Sequence, residues 1–354
     1  DESVDLCYLD PPFNSNRVYN VLFQTKTGDD AGAQIQAFDD TWTWSQTTEK
    51  EYRDLIGGGA PANVIDALEA MRRLLGDNDL LAYLVMMSSR LVELHRVLKP
   101  TGSLFLHCDP TASHYLKILL DAIFGPGRFR NEIVWCYTGP GSPGQRQFSR
   151  KHDIIFWYAK GDSWTFNGDA VRLPHDEKTQ QNYKPGLQGS GFVGADHVIH
   201  EKGKIPEDYW QIAIAPRGKE YLGYPTQKPI KLLERIVLAA SNPGEVVLDP
   251  FCGCGTALDA AQKLGRSWIG IDITFIAIDL IEHRLEGAYG SDIKNTYQVH
   301  GIPRDLEGAA RLFEESHFEF ERWAVSLVDG TPKDKPGGDK GIDGVVRFLT
   351  GATE

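Results

Sequence analysis

The stretch VVLDPFCGCGTALDAAQKLGRSWIGIDI, residues 246–273, sets two β-forming runs on either side of a helical one. The first run ends at Asp249. Gly253 and Gly255 then allow a tight turn and a close approach of backbone to ligand before TALDAAQKLG begins a helix. The second run reaches Asp272 some twenty residues later, where a carboxylate can accept hydrogen bonds from ribose hydroxyls. The spacing is G-x-G rather than G-x-G-x-x-G, and no Lys-Ser or Lys-Thr follows, which argues against a phosphate-cradling P-loop.

An acid ahead of the glycines repels a pyrophosphate and favours a cationic ligand. S-adenosylmethionine, a sulfonium with a free amino group, fits that sign; the loop by itself is equally a site for other nucleosides.

The same alternation extends outward. Residues 4–9 and SLFLHCD (103–109) read as buried strands, and NEIVWCY (131–137) and HDIIFWYAK (152–160) as strands rich in β-formers. PANVIDALEAMRRLLG, DLLAYLVMMSSRLVELHRVLKPTG, PTASHYLKILLDAIFG, QKPIKLLERIVLAAS and TFIAIDLIEHRLEGA have helical spacing, the second stopped by Pro100 and Gly102. Residues 14–60, 138–150 and 161–210 read as irregular. Strands alternating with helices predict an α/β fold with a mainly parallel sheet.

With 354 residues, 41% of them hydrophobic, the chain can build a large core. It contains no apolar run of about 18 residues or more and no signal-peptide pattern. The chain does not begin with Met, and residues 4–9 already read as a strand, so elements in front of it are expected. Five cysteines without CxxC spacing fit a reducing cytoplasm. A net charge of −12 argues against generalised nucleic-acid binding, yet residues 128–235 carry 16 Lys and Arg against 12 Asp and Glu. A locally basic segment in an acidic chain is compatible with a DNA-facing module and equally with solvated surface.

LCYLDPPFNS, residues 6–15, runs an apolar strand into an acid, two prolines and an aromatic. Pro11 and Pro12 cannot donate ladder hydrogen bonds, so the strand stops at Asp10. What remains is a carboxylate acceptor, rigid carbonyls and the Phe13 ring, a kit for a flat molecule that offers N–H groups. Asp-Pro-Pro is also an ordinary turn.

The two motifs together resemble the amino-group DNA methyltransferases: DPPF (10–13) their catalytic motif, DPFCGCGT (249–256) their cofactor motif, GYPTQKPIKLLERI (223–236) the segment before it. Catalytic motif first and cofactor motif last is similar to the beta class, a permuted Rossmann-like methyltransferase fold, and the resemblance covers roughly residues 1–285. It implies a catalytic half at 1–137, an irregular target-recognition region at 138–222, a cofactor half at 223–290 and a C-terminal extension at 291–354. It implies double-stranded DNA as partner, S-adenosylmethionine as cofactor, a homodimer, no membrane, and a bacterial or phage cytoplasm. Such enzymes usually carry a strand and a Gly-Asp turn ahead of the catalytic strand. This chain lacks them, which puts the cofactor's adenine pocket in question.

The resemblance also assigns residues. Asp10 and the Pro11 carbonyl accept the two N–H bonds of a target amino group, Pro12 stiffens the turn, and Phe13 stacks on the flipped base. Phe251, Gly253, Gly255 and Thr256 belong to the cofactor loop, with Asp249 near the amino end and Asp272 near the ribose. Thr226 and Lys228 approach the carboxylate end; Lys228 can also be a solvated helix-start residue. Cys7 and Cys252 are read as small packing residues, and His107 as structural. Trp42 and Trp44 contact the base or pack the loop. Arg146, Arg150 and Lys151 follow phosphates. Asp10 favours adenine N6 over cytosine N4 as the target.

The tail HFEFERWAVSLVDGTPKDKPGGDKGIDGVVRF resembles the start of Mrr-like nuclease modules, with Glu319 and Asp343, but no lysine-bearing strand follows. A partial module without cleavage activity is expected. The competing readings are a restriction enzyme fused to its methyltransferase and a catalytically silent DNA-binding subunit.

Overall fold

The computed structural model describes residues 1–12, 17–24, 30–40, 42–138, 146, 148–182, 199–214, 220–224, 226–303, 306–327, 331–332 and 344–345. The strands in chain order are β1 (Val4–Leu9), β2 (Arg17–Gln24), β3 (Asp30–Asp40), β4 (Leu98–Cys108), β5 (Phe129–Cys136), β6 (His152–Ala159), β7 (Tyr209–Gln211), β8 (Val246–Asp249), β9 (Ser267–Gly270), β10 (Thr331–Pro332) and β11 (Gly344–Val345). The helices are α1 (Gln46–Asp54), α2 (Ala62–Leu75), α3 (Asp79–Val97), α4 (Ser113–Phe124), α5 (Glu177–Asn182), α6 (Ile230–Ala240), α7 (Thr256–Lys263), α8 (Phe275–Tyr289), α9 (Leu306–Glu315) and α10 (His317–Ser326).

One sheet of seven strands in the order β7-β5-β6-β4-β1-β8-β9 organises the molecule. β1 lies parallel to both β4 and β8, β8 to β9, and β5 to β7; β6 runs antiparallel to its two neighbours. The expected α/β fold with a mainly parallel sheet is therefore present, with six of the seven strands pointing one way.

β1 explains itself. All six residues of VDLCYL are buried, as a central strand covered on both faces requires. Cys7 and Leu9 pack towards α2, α3 and α4, and Leu6 and Tyr8 towards α6, α7 and α8. Each fully buried leucine contributes about 1.5–3 kcal/mol relative to exposure.

Two expectations need correction. Residues 14–60 are not irregular throughout: β2 and β3 pair antiparallel and α1 follows them. Nor do Pro100 and Gly102 end the long helix. α3 closes at Val97 and the chain extends directly into β4, with Pro100 sitting where the β1–β4 register shifts between Val4 and Leu6. A proline is tolerated at such a bulge because no ladder N–H is needed there. Within residues 138–222, β6 and β7 are strands of the central sheet, so the stretches between them hold the irregular part. The tail forms α9, α10 and the short β10–β11 pair. The Glu319 side chain and Asp343 lie outside the described residues. Among the described residues no helix is long and apolar enough to cross a membrane.

Candidate active site

The parallel strands bring their carboxyl ends to one edge, where ligands of open α/β sheets bind. Leu9 is in register with Leu106, Cys7 with Leu248, and Asp249 with Gly270. Asp10, His107, Asp249 and Asp272 therefore emerge side by side from four strands drawn from three separate stretches of the sequence. They border the crevice between β1 and β8, where the chain's progression across the sheet reverses.

A cavity of about 630 Å³ opens there, with Asp10, Pro11, Pro12, Thr226, Lys228, Asp249, Phe251, Gly253, Thr256 and Asp272 all in its wall. Of the residues expected at the site, Gly255 is not in this wall. Its φ is +75°, and a Cβ there would stand 2.6 Å from Cγ1 of Ile281, so this glycine lets α8 pack closely. Phe13 lies outside the described residues. A larger groove of about 910 Å³ between β9, α8 and residues 296–303 shares Asp272 and Ile273 but neither Asp10 nor Asp249.

The loop after β8 is held by its own acids. Asp249 accepts the Phe251 N–H (3.1 Å), and Asp272 accepts the N–H of Gly253 (3.0 Å) and of Thr274 (2.9 Å). Gly253 has φ +47°, and a Cβ there would meet the Tyr224 ring at 3.2 Å. Burial, with Asp10 and Asp272 nearby, pushes the Asp249 carboxyl well up from its ordinary range; burial likewise raises Asp272. Cys7 and Cys252 are buried, and burial beside Asp249 raises both thiols, which keeps them from acting as nucleophiles.

Asp10 sits differently. Lys228 Nζ donates to its Oδ2, and His107 Nδ1 lies 3.6 Å from its Oδ1. The lysine side chain is only 11% exposed, so it is not a solvated helix-start residue; the acid of the other motif pairs with it. Its segment is fixed locally: Glu220 accepts the Ile230 N–H (2.6 Å) and buried Gln227 accepts the Leu222 N–H (2.9 Å).

His107, 0% exposed, also meets the Tyr8 hydroxyl through Nδ1 (3.1 Å) and Asp153 Oδ2 through Nε2 (3.2 Å). Tyr137 donates to the other Asp153 oxygen (3.2 Å). Sequence reasoning missed Asp153, Tyr137, Tyr8 and Tyr224.

The two tryptophans separate. Trp42 lines the cavity and packs near Tyr83, whereas Trp44 packs on Tyr52 under the Arg72 guanidinium. Arg146 and Arg150 are exposed and Lys151 half-buried, all in the connection from β5 to β6.

A sheet edge of this kind defines a nucleoside-type α/β site. The family follows from comparison: a family model described as DNA methylase, of the N6/N4 methyltransferase type, matches residues 4–283, and the chain belongs to that family. It is 32% identical over 226 residues to the type II methyltransferase M.HpaI of Haemophilus parainfluenzae, covering 63% of this chain and 66% of that one. It is 32% identical over 203 residues to the DNA adenine methyltransferase YhdJ of Escherichia coli K12, covering 56% and 65%. The chain thus spans slightly less than two thirds of the length of these relatives. The crystal structure of an M1.HpyAVI–SAM complex is similar with 24% identity and a TM-score of 0.41, covering 56% of this chain and 82% of that one.

Proposed function

We propose that the chain transfers a methyl group from S-adenosylmethionine to the exocyclic N6 of an adenine flipped out of double-stranded DNA. The observation that supports this best is the shared cavity: the Asp10-Pro11-Pro12 turn and the Asp249–Gly253 loop face one space although they lie some 240 residues apart.

The wall fits the cofactor's charge. Asp249 and Asp272 are buried acids whose ionised forms lack water, and a sulfonium and an ammonium would stabilise them. Asp249, Phe251, Gly253 and Thr256 would hold the methionine part, and Asp272 the ribose. When bound, the cofactor supplies an electrophilic methyl group.

The remaining work falls to the chain. An aromatic amine is a poor nucleophile because its lone pair is conjugated into the ring. Asp10 accepts one N–H and the Pro11 carbonyl the other, which favours a pyramidal nitrogen whose lone pair points out of the ring plane. Lys228 holds one carboxylate oxygen of Asp10, so the other is left to face the substrate, a preorganisation effect. With the cofactor bound, the nitrogen–carbon bond would form as the carbon–sulfur bond broke, the electron pair staying on sulfur.

Adenine is preferred because the motif carries Asp at position 10 and because a relative is named an adenine methyltransferase. Cytosine N4 is the second reading. Residues 138–222 are assigned to target reading, since the connection bearing Arg146, Arg150 and Lys151 leaves and re-enters the sheet beside Asp153. The test is mass spectrometry of nucleosides from DNA incubated with the protein and labelled cofactor. N6-methyl-2′-deoxyadenosine should carry the label; label only in N4-methyl-2′-deoxycytidine would reverse the base, and none in either would end the reading.

A further inference from the structure

The buried polar residues behind Asp10 form a connected row: Tyr8 and Asp10 from the end of β1, His107 from β4, Asp153 from β6 and Tyr137 from the end of β5. Buried polar groups in a sheet end are costly unless fully partnered, and apolar residues would pack there as well. We propose that His107 is a positioning residue for methyl transfer: it orients the Asp10 carboxylate and, through Asp10, takes over the proton that the methylated amine must lose. The inference rests on the amino-methyl-transfer reading above.

The tautomer is set from the far side. Asp153 is held below the ordinary carboxylate range: burial opposes this, but His107, Lys228 and Tyr137 outweigh it. A carboxylate opposite Nε2 accepts only, so Nε2 carries a hydrogen. Nδ1 is then the lone-pair nitrogen, which receives the Tyr8 O–H and faces Asp10 Oδ1 at 3.6 Å. Both are acceptors, and Nδ1 can take one proton from Oδ1 once the Tyr8 hydroxyl rotates away from it. The groups around the imidazole include Tyr8, Asp10, Asp153, the Trp135 ring edge-on at 5.4 Å, and Asp109 two residues along the chain; Lys228 bears on it through both Asp10 and Asp153.

The reaction delivers that proton. After the nitrogen–carbon bond has formed, the nitrogen carries a positive charge and one hydrogen too many. The N–H bond breaks as an O–H bond forms on Asp10 Oδ1. The O–H bond then breaks as N–H forms on His107 Nδ1, which leaves Asp10 a carboxylate and His107 an imidazolium between two carboxylates. Product release lets solvent reach Asp10 and take the proton back along the same path.

The experiment compares wild type, His107→Gln and Asp153→Asn in single-turnover methyl transfer across neutral pH, with cofactor and DNA affinities measured separately. His107→Gln should lower the rate by about 10²-fold, at the low end for lost proton transfer, with both affinities little changed. The pH dependence seen in wild type should flatten. In Asp153→Asn the amide presents N–H to Nε2, so the hydrogen should move to Nδ1 and the rate fall by at least about 10-fold. Nitrogen-15 spectra of the ligand-free imidazole read that tautomer without any turnover. Rates near wild type in both variants, an Nδ1–H tautomer in wild type, or a cofactor affinity that falls as far as the rate would each overturn the proposal. If His107→Gln does not fold, the rate and tautomer in Asp153→Asn decide. Product from wild type with an indifferent Asp153→Asn removes His107's role alone; no product from wild type removes the methyl-transfer reading and this role with it.

Discussion

The carboxylates at the ends of β1 and β8 are neighbours in space and opposites in state. Asp10 has a cation against one oxygen and an imidazole against the other. Asp249 has a backbone N–H and is otherwise pressed by burial and by two other acids. The first is held by the lysine through one oxygen and acts through geometry, presenting the other as an acceptor in a fixed place. The second is left wanting positive charge, and a cationic ligand can meet that want. One cavity thus combines a preorganised wall with an electrostatically strained one, and the strain is relieved on binding rather than on folding.

Substitutions should pull the two walls apart. Asp10→Ala is expected to lower methyl transfer by more than about 10³-fold, since it removes an acceptor the transition state needs. Cofactor affinity, by calorimetric titration, should stay near wild type; equal loss of both would erase the division between the walls.

Gly253→Val should act in reverse. The residue would be forced to φ +47° with its Cβ 3.2 Å from the Tyr224 ring. Strain of about 1–3 kcal/mol should appear as a lower Tm, with cofactor affinity down by at least about 10-fold. Cofactor binding at wild-type strength would take the loop out of the site.

Asp249→Asn sharpens the contrast further, because stability and binding should move in opposite directions. A carboxyl raised by folding costs stability above its ordinary range, and that cost disappears as pH falls and the group protonates. The ligand-free variant should therefore gain about 1 kcal/mol at neutral pH, roughly 1–2 °C in Tm for a chain of this length. Mild acidification should stabilise wild type more than the variant. Cofactor should bind the variant about 10-fold more weakly, in line with the loss of a charge-assisted contact. A Tm below wild type would show that Asp249 is not strained.

The smallest effect concerns the approach of DNA. Neutralising Arg146, Arg150 and Lys151 together should make the slope of log affinity against log salt shallower by about 1–3. Transfer at saturating DNA should hardly change. An unaltered slope would place the phosphate contacts elsewhere.

Much of this was legible because it is local. The strand–glycine–helix–strand run at 246–273 and the acid-Pro-Pro stop at 10–12 both stand where the pattern put them, since apolar periodicity and proline chemistry operate over a few residues. What stayed hidden is long-range. Lys228 meets Asp10 across 218 positions and His107 meets Tyr8 across 99. No residue pattern states that β6 runs against its neighbours, and that direction is what brings Asp153 to the active end. The close approach of Gly255 to α8 was not legible, because a glycine approached by a helix and one approached by a ligand look the same in sequence. The β2–β3 pair was missed because 14–60 is polar and glycine-containing, with no strong apolar alternation to mark it.

The central place of β1 has a consequence for how the chain is made. One of the two partners of β1, β8, follows it some 240 residues later in the chain. At about 5–20 residues per second, synthesis leaves that flank open for on the order of 10–50 s. During this time an apolar strand can pair with β4 but shows a bare edge on its other side. Asp5 interrupts that edge: it is buried in the finished molecule, held by Lys99 (2.8 Å) and by the Val246 N–H (2.9 Å). A charge on an unpaired strand discourages a stranger from docking there. The same carboxylate later receives the first amide of β8, so the residue that guards the gap also marks where it closes.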